Sequence, residues 1–145
     1  LQKNTSYALP ITFGYTFTDA TFLNSFGSDD GLWGEVQSGD ELPYIAKHQF
    51  NTSISLEHEK FELNLNGRLN GAFKTEASTD AVNATNGITS NFIIDFVGKY
   101  HVSKSLSLSA KIINVLDETY AVSKVPAGLR PGHPFGIYGG LDFRF

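Results

Sequence analysis

The sequence predicts an all-β fold: an antiparallel up-and-down meander of about six strands that crosses a membrane as the wall of a transmembrane β-barrel. Three observations predict it. Six stretches alternate apolar and polar residues, so a sheet built from them has one apolar and one polar face. The connections alternate long, short, long, short, long, which places every long loop at one end of the sheet and every tight turn at the other. The stretches also run ~10–13 residues, against ~5–6 in most soluble strands and ~9–11 needed to cross a bilayer at a tilt.

Composition narrows the function classes. The chain has 145 residues, the size of one domain, with 11 Lys+Arg against 15 Asp+Glu and a net charge of −4. No basic stripe marks a nucleic-acid partner. Cysteine is absent, which excludes disulfides and Cys-based zinc sites. No apolar run approaches the ~18 residues of a membrane helix. No secretory signal opens the chain, as expected of a mature exported form or a fragment. A mean hydropathy of −0.15 agrees with a barrel, in which only alternate residues face lipid.

The first strand begins at Pro10, a residue tolerated at a strand's start. Ile11, Phe13, Tyr15 and Phe17 take one parity, and Thr12, Gly14, Thr16 and Thr18 the other. Residues 19–47 form a large loop that holds the single tryptophan, Trp33. The second strand spans residues 49–57, and His58, Glu59 and Lys60 make a tight turn. Residues 61–73 alternate most cleanly: Phe61, Leu63, Leu65, Leu69 and Phe73 against Glu62, Asn64, Asn66, Arg68 and Asn70. After a second long loop, residues 74–90, the fourth strand spans residues 91–102. Ser103, Lys104 and Ser105 turn the chain into a fifth strand with Leu106, Leu108, Ala110 and Ile112 on its apolar parity. The third long loop, residues 117–135, contains Pro126, Pro131 and Pro134. The closing strand, residues 136–145, ends the chain on Phe145.

In a membrane the apolar parity faces lipid. The other parity, with Glu62, Arg68, Asp95, Lys99, Lys111, Asp142 and Arg144, faces the lumen. Hydrocarbon leaves no backbone group unpaired, so the sheet must close. Six strands fall short of the ~8 of the smallest bacterial barrels. The expectation is that residues 1–145 are the C-terminal part of a larger barrel, unless two further strands lie within residues 19–47.

Several segments resemble one family. Asn114, Val115, Leu116, Asp117, Glu118, Thr119 and Tyr120 resemble the segment before the last strand of TonB-dependent outer-membrane receptors. The run from Tyr15 to Ala20 resembles a strand end of that family. Leu42, Pro43 and Tyr44, followed by Gln49 and Phe50, resemble the approach to its next strand, with Lys47 and His48 where a proline is common. The run from Pro126 to Gly132, followed by Gly136 to Gly140, is similar to receptors of the ferric-citrate type. The terminal Phe145, with Phe143, resembles the assembly signal of outer-membrane barrels. The resemblance implies a 22-strand barrel in the bacterial outer membrane, plugged by an N-terminal domain, as suits a lumen of that size. It implies import of a ferric chelate, a siderophore or ferric citrate, driven by the TonB system. Its other partners would be outer-membrane lipid and the assembly machinery. The chain would supply the last six strands, without the plug and the TonB-contacting segment.

The resemblance also nominates ligand contacts. Arg130 and Lys124 lie in the last long loop, where ferric-citrate receptors contact the chelate, and Arg suits an anionic ligand. The competing reading of both is solvated loop charge. Trp33 and Tyr44 could stack on a ligand or sit in an interfacial aromatic belt. The first loop carries Asp19, Asp29, Asp30, Glu35, Asp40 and Glu41 without the spacing of a calcium loop, and reads as solvated charge. His48, His58, His101 and His133 are scattered, without a metal-ligand pattern. No nucleophile elbow or phosphate loop occurs, so neither an enzyme nor a cofactor is expected. Three functions remain: a receptor barrel segment, a small complete outer-membrane barrel with a structural or adhesin role, and a soluble β-sandwich binding module.

Overall fold

Pairing register decides which face each residue takes, and here it keeps the two parities apart across the whole sheet. The computed structural model describes residues 6–27, 34–124 and 127–145. In chain order its strands are β1 (Ile11–Phe17), β2 (Phe26–Gly27), β3 (Glu35–Val36), β4 (His48–His58), β5 (Phe61–Asn70) and β6 (Phe73–Lys74). They continue as β7 (Gly87–Ile88), β8 (Asn91–His101), β9 (Leu106–Ile113), β10 (Ala121–Ser123), β11 (Arg130–Pro131) and β12 (Gly136–Phe143). The six long strands form one antiparallel sheet in the order β1-β4-β5-β8-β9-β12, a meander. Three two-stranded ribbons, β2 with β3, β6 with β7 and β10 with β11, rise from the long connections. The described residues contain no helix.

One row of partners crosses all six strands on the apolar face: Ile11, Ile54, Leu65, Phe96, Ile112 and Ile137. On the polar face Thr12 stands opposite Ser53, Ser53 opposite Asn66, and Asn66 opposite Asp95. A slip of one residue at any pair would mix the two faces, so the sequence pattern itself holds the register.

The long strands measure 7 to 11 residues, shorter at the low end than the alternation suggests. The third ends at Asn70 rather than Phe73. There the backbone crosses His48 closely: Gly71 N–H donates to His48 O at 2.8 Å, and a Cβ on Gly71 would lie 2.9 Å from that oxygen. Only glycine allows that approach, and Phe73 restarts pairing in β6. Glu59 and Lys60 alone bridge β4 and β5. The turn from β8 to β9 is held by Ser103 Oγ, which accepts the N–H groups of Ser105 and Leu106 at 3.2 and 3.1 Å.

Two expectations change here. The sheet is open: β1 and β12 are its edges and do not pair with each other. The described residues therefore form an open six-stranded sheet and no closed barrel. Nor do the long strands split into two sheets packed face to face. Of the buried apolar residues, Val36, Ala46 and Ile88 belong to the long connections, and Ile93 lies on β8 opposite Arg68. The apolar face is uncovered, with Phe13 80% and Leu141 74% exposed. Aromatic clusters mark both ends of that face. Tyr7, His58 and Phe61 stack at the turn end, His58 lying 4.8 Å from Tyr7 and 4.9 Å from Phe61. Tyr15 packs on Phe50 at 4.6 Å at the loop end.

Candidate ligand-binding site

The polar face has a hollow of about 440 Å³ near its centre, lined by Asn51, Ser53, Asn66, Arg68, Asp95 and Lys111 among others. Neighbouring strands bring these side chains together because each belongs to the polar parity of its strand. Asn64 Nδ2 donates to Ser53 Oγ at 2.9 Å and to Ser55 Oγ at 2.6 Å, and Asn66 Nδ2 donates to Asn64 Oδ1. Arg68 reaches Asp95 Oδ2 at 3.4 Å, with about half the Arg68 side chain exposed. The hollow thus offers amide, hydroxyl, carboxylate and guanidinium groups, both donors and acceptors.

A second, smaller pocket of about 220 Å³ opens at the loop end of the same face. Its walls combine the aromatic rings of Tyr44, Phe73 and Tyr120 with the amides of Gln49, Asn70 and Asn91. The loops above it are tied together. Lys47 Nζ lies 2.9 Å from Glu41 and 3.3 Å from Asp19, and the buried Lys74 lies 3.3 Å from Glu41 while donating to Ser78 O at 2.6 Å. The hydrogen bond from Lys47, opposed by burial and assisted by Lys74, holds the Glu41 carboxyl below its usual value. The same bond, with one to Asp19, raises the Lys47 ammonium. Asp19 and Glu41 are therefore structural partners of lysines, not the freely solvated acids the sequence suggested.

The nominated residues separate in space. Tyr44 lines the loop-end pocket, in a left-handed backbone conformation (φ 62°) with its N–H donating to Lys74 O at 2.8 Å. Lys124 lies beside it: its N–H reaches Tyr44 Oη at 3.4 Å, and its Nζ is engaged by the carbonyls of Ala84 and Thr85. Arg130 stands exposed on β11. Trp33, Asp29, Asp30 and Pro126 lie outside the described residues. Phe143 and Phe145 pack edge to face at 5.3 Å, exposed on the last strand and just beyond it. Sequence reasoning missed Gln49, Asn70, Asn91, Phe73 and Tyr120. The polar parity at the loop ends of β4, β5 and β8 was the available signal for the three amides, whereas Tyr120 arrives through tertiary folding of the third loop.

The fold and face define a class: an open antiparallel sheet with one apolar face and one polar face that carries hollows. The model of the galactoside-binding lectin family matches residues 2–107, most of the chain, and the chain belongs to that family. The match ends inside β9, while the sheet continues through β12. Among curated proteins none matches the chain. Among solved structures, the ferric-catecholate import receptor Fiu from E. coli K12 in its closed form is similar at TM-score 0.72 and 22% identity, over 95% of this chain and 19% of that one. Its open form gives TM-score 0.62 and 21% identity, over 77% of this chain and 18% of that one. The chain spans about a fifth of that receptor's length, and the likeness is one of fold alone.

The family match overturns what the resemblance implied. The chain is not assigned to TonB-dependent receptors, and a ferric chelate and the TonB system are not its partners; the matching family binds carbohydrate. Of the three functions, the binding module is the one supported. The motif residues have a local explanation instead. Asn114 is 1% exposed, and its side chain ties the backbone of Glu118 and His133. Tyr120 packs where a Cβ on Gly132 would stand 2.0 Å from its ring. Such residues shape a loop and need no ligand to account for them.

Proposed function

We propose that the chain is a carbohydrate-binding β-sheet module that takes a galactoside on its polar face. The observation that carries this is the central hollow, where Asn51, Ser53 and Asn66 adjoin the Arg68–Asp95 pair. A sugar presents hydroxyls that both donate and accept, and this set answers both. A few such hydrogen bonds, net ~0.5–1.5 kcal/mol each and more where charged, support binding in the millimolar range. Titration of the chain with methyl β-galactoside, followed by NMR, should move the resonances of Asn66 and Arg68. Arg68→Ala should weaken binding about tenfold, the equivalent of ~1.4 kcal/mol. Equal affinity of Arg68→Ala and the parent would sink this placement.

A second reading concerns what covers the apolar face. The exposure of Phe13 and Leu141, with aromatic clusters at both ends of that face, favours lipid as the cover. From Phe61 to Leu69 the apolar parity of β5 extends ~26 Å, or ~20 Å along the membrane normal at a tilt of ~40°, most of the ~25 Å apolar band of outer-membrane barrels. On this reading the sheet is a section of a larger barrel wall in a bacterial outer membrane, its polar face lining the lumen. A fluorophore at Leu141 should be quenched by a lipid-borne quencher, and one at Asp142 should not. Equal quenching, or a chain that stays monomeric and folded without lipid or detergent, removes this reading.

A further inference from the structure

The loop-end pocket differs in chemistry from the central hollow. None of its lining side chains is charged. Two lysines of the surrounding loops are occupied, Lys74 by Glu41 and Ser78 and Lys124 by the carbonyls of Ala84 and Thr85. An anionic ligand therefore finds no counter-charge there. Rings and amides form the walls, and the Asn70 amide donates to Asn91 Oδ1 at 3.2 Å. Asn91 is 6% exposed. A ligand with an apolar face and a hydroxylated rim matches such walls, because rings cover the C–H face while amides meet the rim. At about 220 Å³ the space falls below the ~300 Å³ at which drug-sized ligand pockets begin, so it suits one ring and not a chain of rings.

Tyr44 adds a second line of evidence. A non-glycine residue at φ 62° is uncommon, and such a conformation persists only where the surroundings impose it. Here they do: the Tyr44 N–H is tied to Lys74 O, and its hydroxyl meets the backbone N–H of Lys124. Three loops thus fix one tyrosine at the mouth of a neutral pocket. Tyr120, on the opposite loop, is fixed in turn by Gly132, whose N–H donates to Tyr120 O at 2.8 Å, and by His133 N–H on its hydroxyl at 3.3 Å.

We infer that this pocket is a second carbohydrate subsite, taking a single neutral sugar ring against the packed Tyr44–Phe73 pair, whose centroids lie 6.0 Å apart, and Tyr120, with Gln49, Asn70 and Asn91 at its rim. The inference rests on the carbohydrate reading above and adds a position that the central hollow does not contain. The left-handed backbone supplies a clean variant. Tyr44→Gly removes the ring while keeping the conformation, which glycine adopts without strain. Tyr44→Phe keeps the ring and loses only the hydroxyl.

The test titrates the full chain with methyl β-galactoside and reads residue-resolved NMR shifts together with the dissociation constant. The expected result is movement of Tyr44, Tyr120 and Asn91 resonances, a tenfold or greater weakening at this site in Tyr44→Gly, and near-parental binding in Tyr44→Phe. Should Asn66 and Arg68 respond while Tyr44 and Tyr120 stay still, the central site stands and the second subsite falls. A response at the loop end alone upholds the subsite and removes the central placement. If Tyr44→Gly binds there as the parent does, or nothing saturates anywhere, the subsite is refuted.

Discussion

Asp95 and Asn114 connect the sheet to its last loop: Asp95 Oδ1 accepts the backbone N–H of Asn114 at 2.9 Å. The other oxygen of the same carboxylate faces Arg68 across the polar hollow at 3.4 Å. One side chain thereby joins the candidate sugar-binding face to the fold of residues 114–135. Val115 N–H adds a bond to Ile94 O at 2.7 Å, so the loop leaves the sheet at a fixed angle.

Asn114 should be costly to replace. It is buried, has φ 50°, and its side chain makes three hydrogen bonds to the backbone of Glu118 and His133. Asn114→Ala loses those bonds and adds strain, an expected ~2–4 kcal/mol in equilibrium unfolding. Asn114→Gly, free of the strain, should be less damaging. If the alanine variant unfolds within ~0.5 kcal/mol of the parent, the clamp is not a stabilising feature.

The Glu41 network predicts a pH dependence. A carboxylate whose folded value is lowered contributes stability that is present above its unfolded value and is lost as pH falls through the lowered folded one. Contacts between the first two loops should therefore weaken as pH drops below about 4.5. Hydrogen exchange at Tyr44 and Glu41, whose N–H groups donate to Lys74 O and Ser78 O across the two loops, is the readout. Glu41→Gln should abolish the acid-side slope; an unchanged slope would assign it to another carboxylate. Lys47, whose value is raised, contributes in the opposite window: its share is present below its ordinary value and is lost only in strong alkali.

Leu65 and Asn66 are sequence neighbours on opposite faces. If lipid covers the apolar face, Leu65→Arg should cost ~2–4 kcal/mol in a bilayer refolding assay, while Asn66→Arg should cost little. Equal penalties in lipid would speak against a membrane setting.

Gly132 and Tyr120 should be coupled. A Cβ at Gly132 would come within 2.0–2.4 Å of the Tyr120 ring. Gly132→Ala is expected to destabilise by ~1–3 kcal/mol through overpacking. Added to Tyr120→Ala, the same change should cost far less, because the clash is gone. Additive effects in this double-mutant cycle would place the strain elsewhere.

Much of the sheet was legible in the sequence. Alternation in β5, from Phe61 to Asn70, fixed which residues share a face, because side chains along a strand have period two whatever the strand packs against. The order of long and short connections likewise determined the meander. Alternation carries no information about what meets the apolar face, so it could not separate barrel wall from sandwich. Local motifs such as Asn114 to Tyr120 misled about family, since the residues serve loop geometry that many folds require. The loop-end pocket was invisible for a different reason. Tyr44, Phe73 and Tyr120 belong to three separate connections, and Gln49, Asn70 and Asn91 to three strands. Only tertiary structure brings them together, through long-range bonds such as Tyr44 N–H to Lys74 O and Lys124 N–H to Tyr44 Oη. The sequence by itself determined the six long strands, their faces and their order, because these follow from local periodicity and turn chemistry; the short ribbons β2–β3, β6–β7 and β10–β11 lay in stretches that read as loops. The tertiary structure alone decided the open edges, the paired loop charges and the aromatic pocket, because these depend on contacts between residues far apart in the chain.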